Sequence, residues 1–289
     1  MNIDPRITFD YAQIGGVRLH YAKAGDGQRL VLLLHGFPEC WYSWRHQLAA
    51  LSDYYTVVAP DLRGYNLSDK PGSVADYSID KLVDDVIGLI HHFHREQAAV
   101  IGHDWGAGIA WALAERHPEY VGKLGALQVP PPSVWRKNLT FRQLLASWYM
   151  CFFQLPWLPE ALYSVDHFAI LKRALRTTTA EPNVFTNDDM DVYVKAWSEP
   201  GALTSMINYY RANALSLLFR SDGGSRKITV PSLFIYGEKD FAILRETVKD
   251  IREVMDAPFD EFFIPTSGHW VQQEAAETVT EIIREFLAE

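Results

Sequence analysis

Two rhythms of apolar residues run along this chain, and the balance between them changes in the middle. Toward both ends, short continuous apolar runs alternate with stretches whose apolar residues recur every three to four positions. Residues 31–34, 55–59, 98–101 and 124–127 read as buried strands, with helices over 46–51, 79–92 and 107–114. Continuous runs mark strands covered on both faces, so the alternation predicts a mostly parallel sheet flanked by helices. Pro130-Pro131-Pro132 breaks that pattern. From 130 to 226 no segment reads as a strand, and aromatic-rich helical stretches occupy 141–153, 165–176, 188–196 and 204–219. The first rhythm returns with a strand over 231–236, a helix over 243–255, a strand over 261–264 and a last helix over 274–287. The expected organisation is an α/β core built from 1–129 and 227–289, with a helical cap inserted at 130–226.

An open parallel sheet gathers its chemistry at the carboxyl ends of its strands. Four predicted strand ends carry polar candidates: His35-Gly36-Phe37-Pro38, Asp104, Gly237-Glu238-Lys239-Asp240 and Ser267-Gly268-His269-Trp270. Asp104 lies in Gly102-His103-Asp104-Trp105-Gly106, between the strand at 98–101 and the helix at 107–114. This is the nucleophile-elbow pattern G-x-S-x-G with aspartate in place of serine. A serine must be deprotonated before it attacks, whereas a carboxyl group with a reference pKa near ~3.9 is already an anion at neutral pH. Such a nucleophile displaces at carbon and leaves an alkyl ester on the protein. In chain order the set runs nucleophile, acid, histidine, as in the α/β-hydrolase triad. His269 would then take a proton from the water that cleaves the ester, with Asp240 accepting its other ring N–H. Backbone N–H groups of Phe37 and Trp105 would hold the oxyanion. Glu238 is the alternative acid, and the strand before the cap ends in Leu127-Gln128-Val129-Pro130 without a carboxylate.

Composition narrows the picture. With 48% hydrophobic and 22% charged residues in 289, the chain has the make-up of a globular protein with a large core. A net charge of -9 argues against a nucleic-acid partner. Cys40 and Cys151 form neither a disulfide framework nor a metal-ligand spacing, which favours a reducing, cytoplasmic setting. The first residues lack a signal core and no stretch approaches ~20 apolar residues, so no membrane span is expected. The glycines at 102, 106 and 108 run in the reverse order to a dinucleotide fingerprint, and no P-loop occurs. His91-His92-Phe93-His94 closes a helix, where solvated histidines favoured by the dipole are common. No cofactor and no metal are expected.

Taken together, these residues resemble the epoxide hydrolases of the α/β-hydrolase superfamily over nearly the whole chain. The resemblance rests on His35-Gly36-Phe37-Pro38-Glu39, Asp61-Leu62-Arg63-Gly64-Tyr65, the elbow, Asp240 and Gly268-His269. Two segments of the expected cap carry it further. Trp148-Tyr149-Met150-Cys151-Phe152-Phe153-Gln154 is similar to the family's W-Y-x-x-F-x-Q segment, and Asn208-Tyr209-Tyr210-Arg211 to its N-[WY]-Y-R segment. The resemblance implies that Tyr149 and Tyr210 donate to the epoxide oxygen, with Tyr209 as the packing alternative. Chemistry asks for such donors independently, because ring opening leaves an alkoxide and tyrosine is still protonated at neutral pH. Departing halide needs no proton, so the tyrosines separate epoxide opening from the rival dehalogenase reading. One departure stands at Asn66, where the family pattern D-x-R-G-Y-G has glycine. Phe37, Trp105, Phe152, Phe153 and Trp270 are the expected substrate contacts. The expected partners are water and an apolar small-molecule epoxide, with Tyr149, Phe152 and Phe153 suggesting a substantial apolar substituent. A homodimer is left open.

Overall fold

The computed structural model describes residues 3–219 and 226–288. Its sheet contains β1 (Thr8–Ile14), β2 (Val17–Ala24), β3 (Leu30–Leu34), β4 (Thr56–Pro60), β5 (Ala98–His103), β6 (Val121–Leu127), β7 (Ser232–Gly237) and β8 (Phe259–Ile264). The spatial order is β1-β2-β4-β3-β5-β6-β7-β8. From β4 to β8 every neighbouring pair is parallel, while β1 and β2 join antiparallel at one edge. All five residues of β3 and of β4 are buried, as strands covered on both faces require. β1 buries only Ala12 and Ile14. An edge strand whose apolar residues are interrupted by polar ones leaves no continuous apolar run, and neither does its hairpin partner β2.

Strand order decides where a site can form. The chain passes from β3 outward to β4 and then crosses to β5 on the other side of β3, so the crevice between the β3 and β5 ends is the switch point of the sheet. The helix Ile79–His92 matches its expected span and buries Leu82, Val83, Val86, Leu89 and Ile90 along one face. Helix Trp105–Arg116 follows β5 directly.

Between β6 and β7 the described residues form helices and no strand. These are Pro132–Lys137, Phe141–Ala146, Trp148–Phe152, Leu158–Thr177, Asn187–Ser198 and Ala202–Phe219. Part of the expected cap, residues 220–225, lies outside the described residues. Three helical expectations need correction. The span 141–153 is broken at Ser147, whose backbone leaves the helical region. The helix expected at 165–176 begins earlier, at Leu158, and is interrupted over residues 165–168, where Asp166, His167 and Phe168 take positive φ. The helix expected over 243–255 is instead two short 3-10 turns, Arg245–Val248 and Ile251–Val254, separated by Asp250 at φ 64°. Its first backbone groups are committed elsewhere. Ala242 and Ile243 N–H bond the Asp240 side chain, Leu244 N–H bonds Gln143, and the Ile243 carbonyl accepts from the Tyr236 hydroxyl.

Candidate active site

Asp104 occupies the turn between β5 and its helix with φ 51° and ψ -117°, a conformation that side chains rarely adopt. The turn closes because Gly102 and Gly106 lie against backbone: a Cβ on the first would meet the Gly106 carbonyl, and one on the second the Leu34 carbonyl. The loop after β3 then delivers the Phe37 N–H to Asp104 Oδ1 at 2.8 Å. On the other carboxylate oxygen, Oδ2 stands 3.8 Å from His269 Nε2, too long for a direct hydrogen bond.

Behind His269 the acid is Asp240. Its Oδ2 is 2.9 Å from His269 Nδ1, while Oδ1 accepts from the Ala242 and Ile243 N–H groups. Glu238, the alternative acid, sits at the surface 3.9 Å from Arg245. Burial alone would lower the pKa of His269, but Asp240, its hydrogen bond, Asp104 and Glu39 outweigh that effect and push it up to about 9.

Beneath the elbow lies a buried pair that strand-end reasoning passes over. His103 Nδ1 is 2.8 Å from Glu39 Oε2, and its Nε2 is 2.8 Å from the His269 carbonyl. Gln272 and Gln273 also donate to the Glu39 carboxyl group. Burial raises the pKa of Glu39, yet His103 and the hydrogen bond between them hold it below its ordinary value. His103 thus supports the turn, and the negative charge of Glu39 adds to the field at His269. The final residue of the His-Gly-Phe-Pro-Glu string was the available signal.

The two tyrosines converge. Tyr149 and Tyr210 have ring centroids 5.7 Å apart, and both line a cavity of about 90 Å³ with Asp104 and Trp105. Burial, followed by the charge of Asp104, raises the pKa of each, so both hydroxyls keep their protons. Tyr209 turns away and donates to the Arg63 carbonyl at 2.7 Å. Asn66 takes φ 39° and bonds Asp61 through its amide, so the loop that departs from the family pattern holds its turn with asparagine.

The expected substrate contacts separate into two groups. Trp105 lines the cavity, and the Phe37 ring packs edge-on against Tyr210. Phe37, Phe152, Phe153 and Trp270 are not among the lining residues. Phe153 is buried behind Phe37 and Tyr210, Phe152 packs against Phe153 and Trp148, and Trp270 stands beside His269 with its indole N–H on Thr178. The apolar wall is instead built by Val129, Pro130, Pro132, Trp135, Met150 and Ile243. Among the described residues no group of three potential metal ligands occurs, and no helix is long and apolar enough to cross a membrane.

This geometry can be set beside known proteins. The profile of the α/β hydrolase fold matches residues 29–276. Epoxide hydrolase 4 of Homo sapiens is 37% identical over an alignment that covers 99% of this chain and 81% of that protein. This chain belongs to the epoxide hydrolase family of the α/β-hydrolase fold. The AB hydrolase superfamily protein YfhM of Bacillus subtilis is 42% identical, covering 97% of this chain and 98% of its own. Among solved structures, the inhibitor complex of the Bacillus megaterium epoxide hydrolase superposes with a TM-score of 0.88 at 32% identity, covering 97% of this chain and 100% of that one. In this family setting, the eight-stranded sheet and the helices inserted after β6 form the frame around Asp104.

Proposed function

We propose that the chain hydrolyses a small apolar epoxide to a vicinal diol through an ester on Asp104. The observation that carries this reading is the cavity in which Asp104 shares a wall with two protonated tyrosines. Asp104 Oδ2 attacks an oxirane carbon as the ring C–O bond breaks, and the departing oxygen takes a proton from Tyr149 or Tyr210. The ester carbonyl oxygen is then Oδ1, already held by the Phe37 N–H. Trp105, the first residue of its helix, has an N–H without an intrahelical partner and supplies the second donor.

Water next gives a proton to His269 Nε2 and attacks the ester carbonyl carbon. The gap of 3.8 Å between Nε2 and Asp104 supports a route in which the imidazole works through water. Collapse of the tetrahedral intermediate releases the diol and returns the carboxylate. The helices over 132–219 serve as the lid that brings the tyrosines over the nucleophile and keeps solvent from the alkoxide. The dehalogenase alternative is disfavoured because a departing halide needs no proton, whereas two protonated tyrosines line the cavity with Asp104.

Heavy-oxygen water tests the mechanism. With enzyme in excess over epoxide, a single turnover should place the label in the Asp104 carboxyl group and leave the first diol unlabelled. Label in the diol with none in Asp104 would overturn the covalent route.

A further inference from the structure

The end of β6 lacks a carboxylate, yet it reaches the acid directly. Gln128 follows β6, is wholly buried and takes φ 69°. A residue with a Cβ is strained in that left-handed region, so the conformation calls for a compensating interaction. Its side chain supplies one. The amide oxygen accepts the Gly237 N–H at 2.5 Å, while the amide nitrogen donates to Asp240 Oδ2 at 2.5 Å and to the Gly268 carbonyl at 3.1 Å. This orientation satisfies every neighbour, because the reverse one would face oxygen to a carboxylate and a carbonyl. One amide thus bridges the loop that carries the acid and the loop that carries the histidine.

It also bonds the same oxygen that His269 uses. Asp240 Oδ1 is filled by two backbone N–H groups, so its Oδ2 is shared between Gln128 and His269 Nδ1. We propose that Gln128 is a positioning residue that fixes Asp240 against His269 and limits how tightly that carboxylate holds the imidazole proton. The inference rests on the ester mechanism above, since only the hydrolysis of that ester calls on His269. A donor on Oδ2 draws charge from the oxygen facing the imidazole, which weakens the imidazolium and frees the base for water. The other groups acting on His269 are Asp104, Glu39 and the His103 ring, whose centroid lies 5.0 Å away. None of them is bonded to Gln128.

Two variants test this with the full chain, Gln128→Met, which removes the donor at similar volume, and Gln128→Glu, which keeps the acceptor for Gly237 and brings a carboxyl group to Asp240. Ester formation and ester hydrolysis are to be measured separately by rapid quench and intact mass across pH. In Gln128→Met the ester should form at the wild-type rate and accumulate, with hydrolysis on the order of 10-fold slower, and the acidic limb of hydrolysis should move up by about one pH unit. In Gln128→Glu the buried carboxyl group beside Asp240 keeps its proton and donates in place of the amide, so hydrolysis and its limb should stay nearer the wild type. An unmoved limb in Gln128→Met, or an equal loss in both steps, would reduce Gln128 to a structural tie and overturn the proposal. If the wild-type enzyme turns over epoxide without forming any ester on Asp104, the mechanism fails and takes this inference with it.

Discussion

His269 faces two opposed demands. In the free enzyme its pKa stands at about 9, where the imidazole is largely protonated at neutral pH and cannot accept a proton from water. On the proposed mechanism the ester removes the negative charge of Asp104, one of the causes that hold the value up. The base would then be generated by the first chemical step. Replacing Asp104 with asparagine reproduces that loss of charge, so the His269 titration midpoint, followed by NMR, should fall by about one unit in Asp104→Asn. A midpoint equal to that of the wild type would show that Asp104 does not control the base. The proposed mechanism gives the tyrosines the complementary burden. Burial and then the charge of Asp104 raise their pKa values, which keeps both hydroxyls protonated as proton donors must be. Tyr210→Phe should lower epoxide turnover by on the order of 100-fold while leaving the fold intact, and the double variant with Tyr149→Phe should lose still more. Unchanged turnover in the double variant would remove general acid catalysis by tyrosine from the mechanism.

At the scale of elements, the strands that hold the site were legible in the sequence and the helices above it much less so. β3, β5 and β7 announce themselves as apolar runs because both of their faces are covered, β8 as a short run at the exposed edge of the sheet, and each is followed by a candidate residue. The break at Ser147 and the loss of helix after Ile243 come from side chains reaching across the fold. Gln143, for example, spans 101 positions to bond Leu244. Such contacts leave no periodic trace. The loop after β3 shows how little space these elements leave: a Cβ on Gly36 would meet the Asp104 Cβ, and it would lie 2.5 Å from Asp104 Oδ1. Gly36→Ala must move either the nucleophile or the Phe37 N–H that bonds it. Ester hydrolysis, the step that develops the oxyanion, should fall by at least about 100-fold, the usual loss for one oxyanion donor. Wild-type rates of ester hydrolysis in a folded Gly36→Ala protein would mean that this approach is looser than the structure indicates.

For the molecule as a whole, the charged and polar groups of the site were far easier to foresee than the space between them. Asp104, His269 and Asp240 each follow a strand, and Tyr149 and Tyr210 stand in recognisable segments. Gln128 and the cavity wall depend on how the inserted helices settle on the sheet, which no local pattern encodes. Phe152 and Phe153 looked like pocket residues because they flank Tyr149, yet Trp135 from the preceding helix helps build the wall. That helix is tied to the core by Lys137 to Glu253 at 2.6 Å and by Asn138 to the Lys249 carbonyl at 2.9 Å. A buried apolar cavity of ~150 Å³ holds benzene. On the proposed function, a cavity of about 90 Å³ favours an oxirane ring with one or two further carbons. A short aliphatic epoxide such as 1,2-epoxybutane should therefore exceed styrene oxide in kcat/KM by about 10-fold or more, given that a methylene in such a pocket is worth ~10- to 200-fold. Trp135→Ala removes the largest side chain of the wall and should narrow or reverse that preference. It should also cost about 3–5 kcal/mol of stability, so the comparison belongs at a temperature where the variant is folded. If the wild type prefers the aryl substrate, or the ranking survives in folded Trp135→Ala, then Trp135 does not set the size limit and the helices over the site must open more widely than their packing implies.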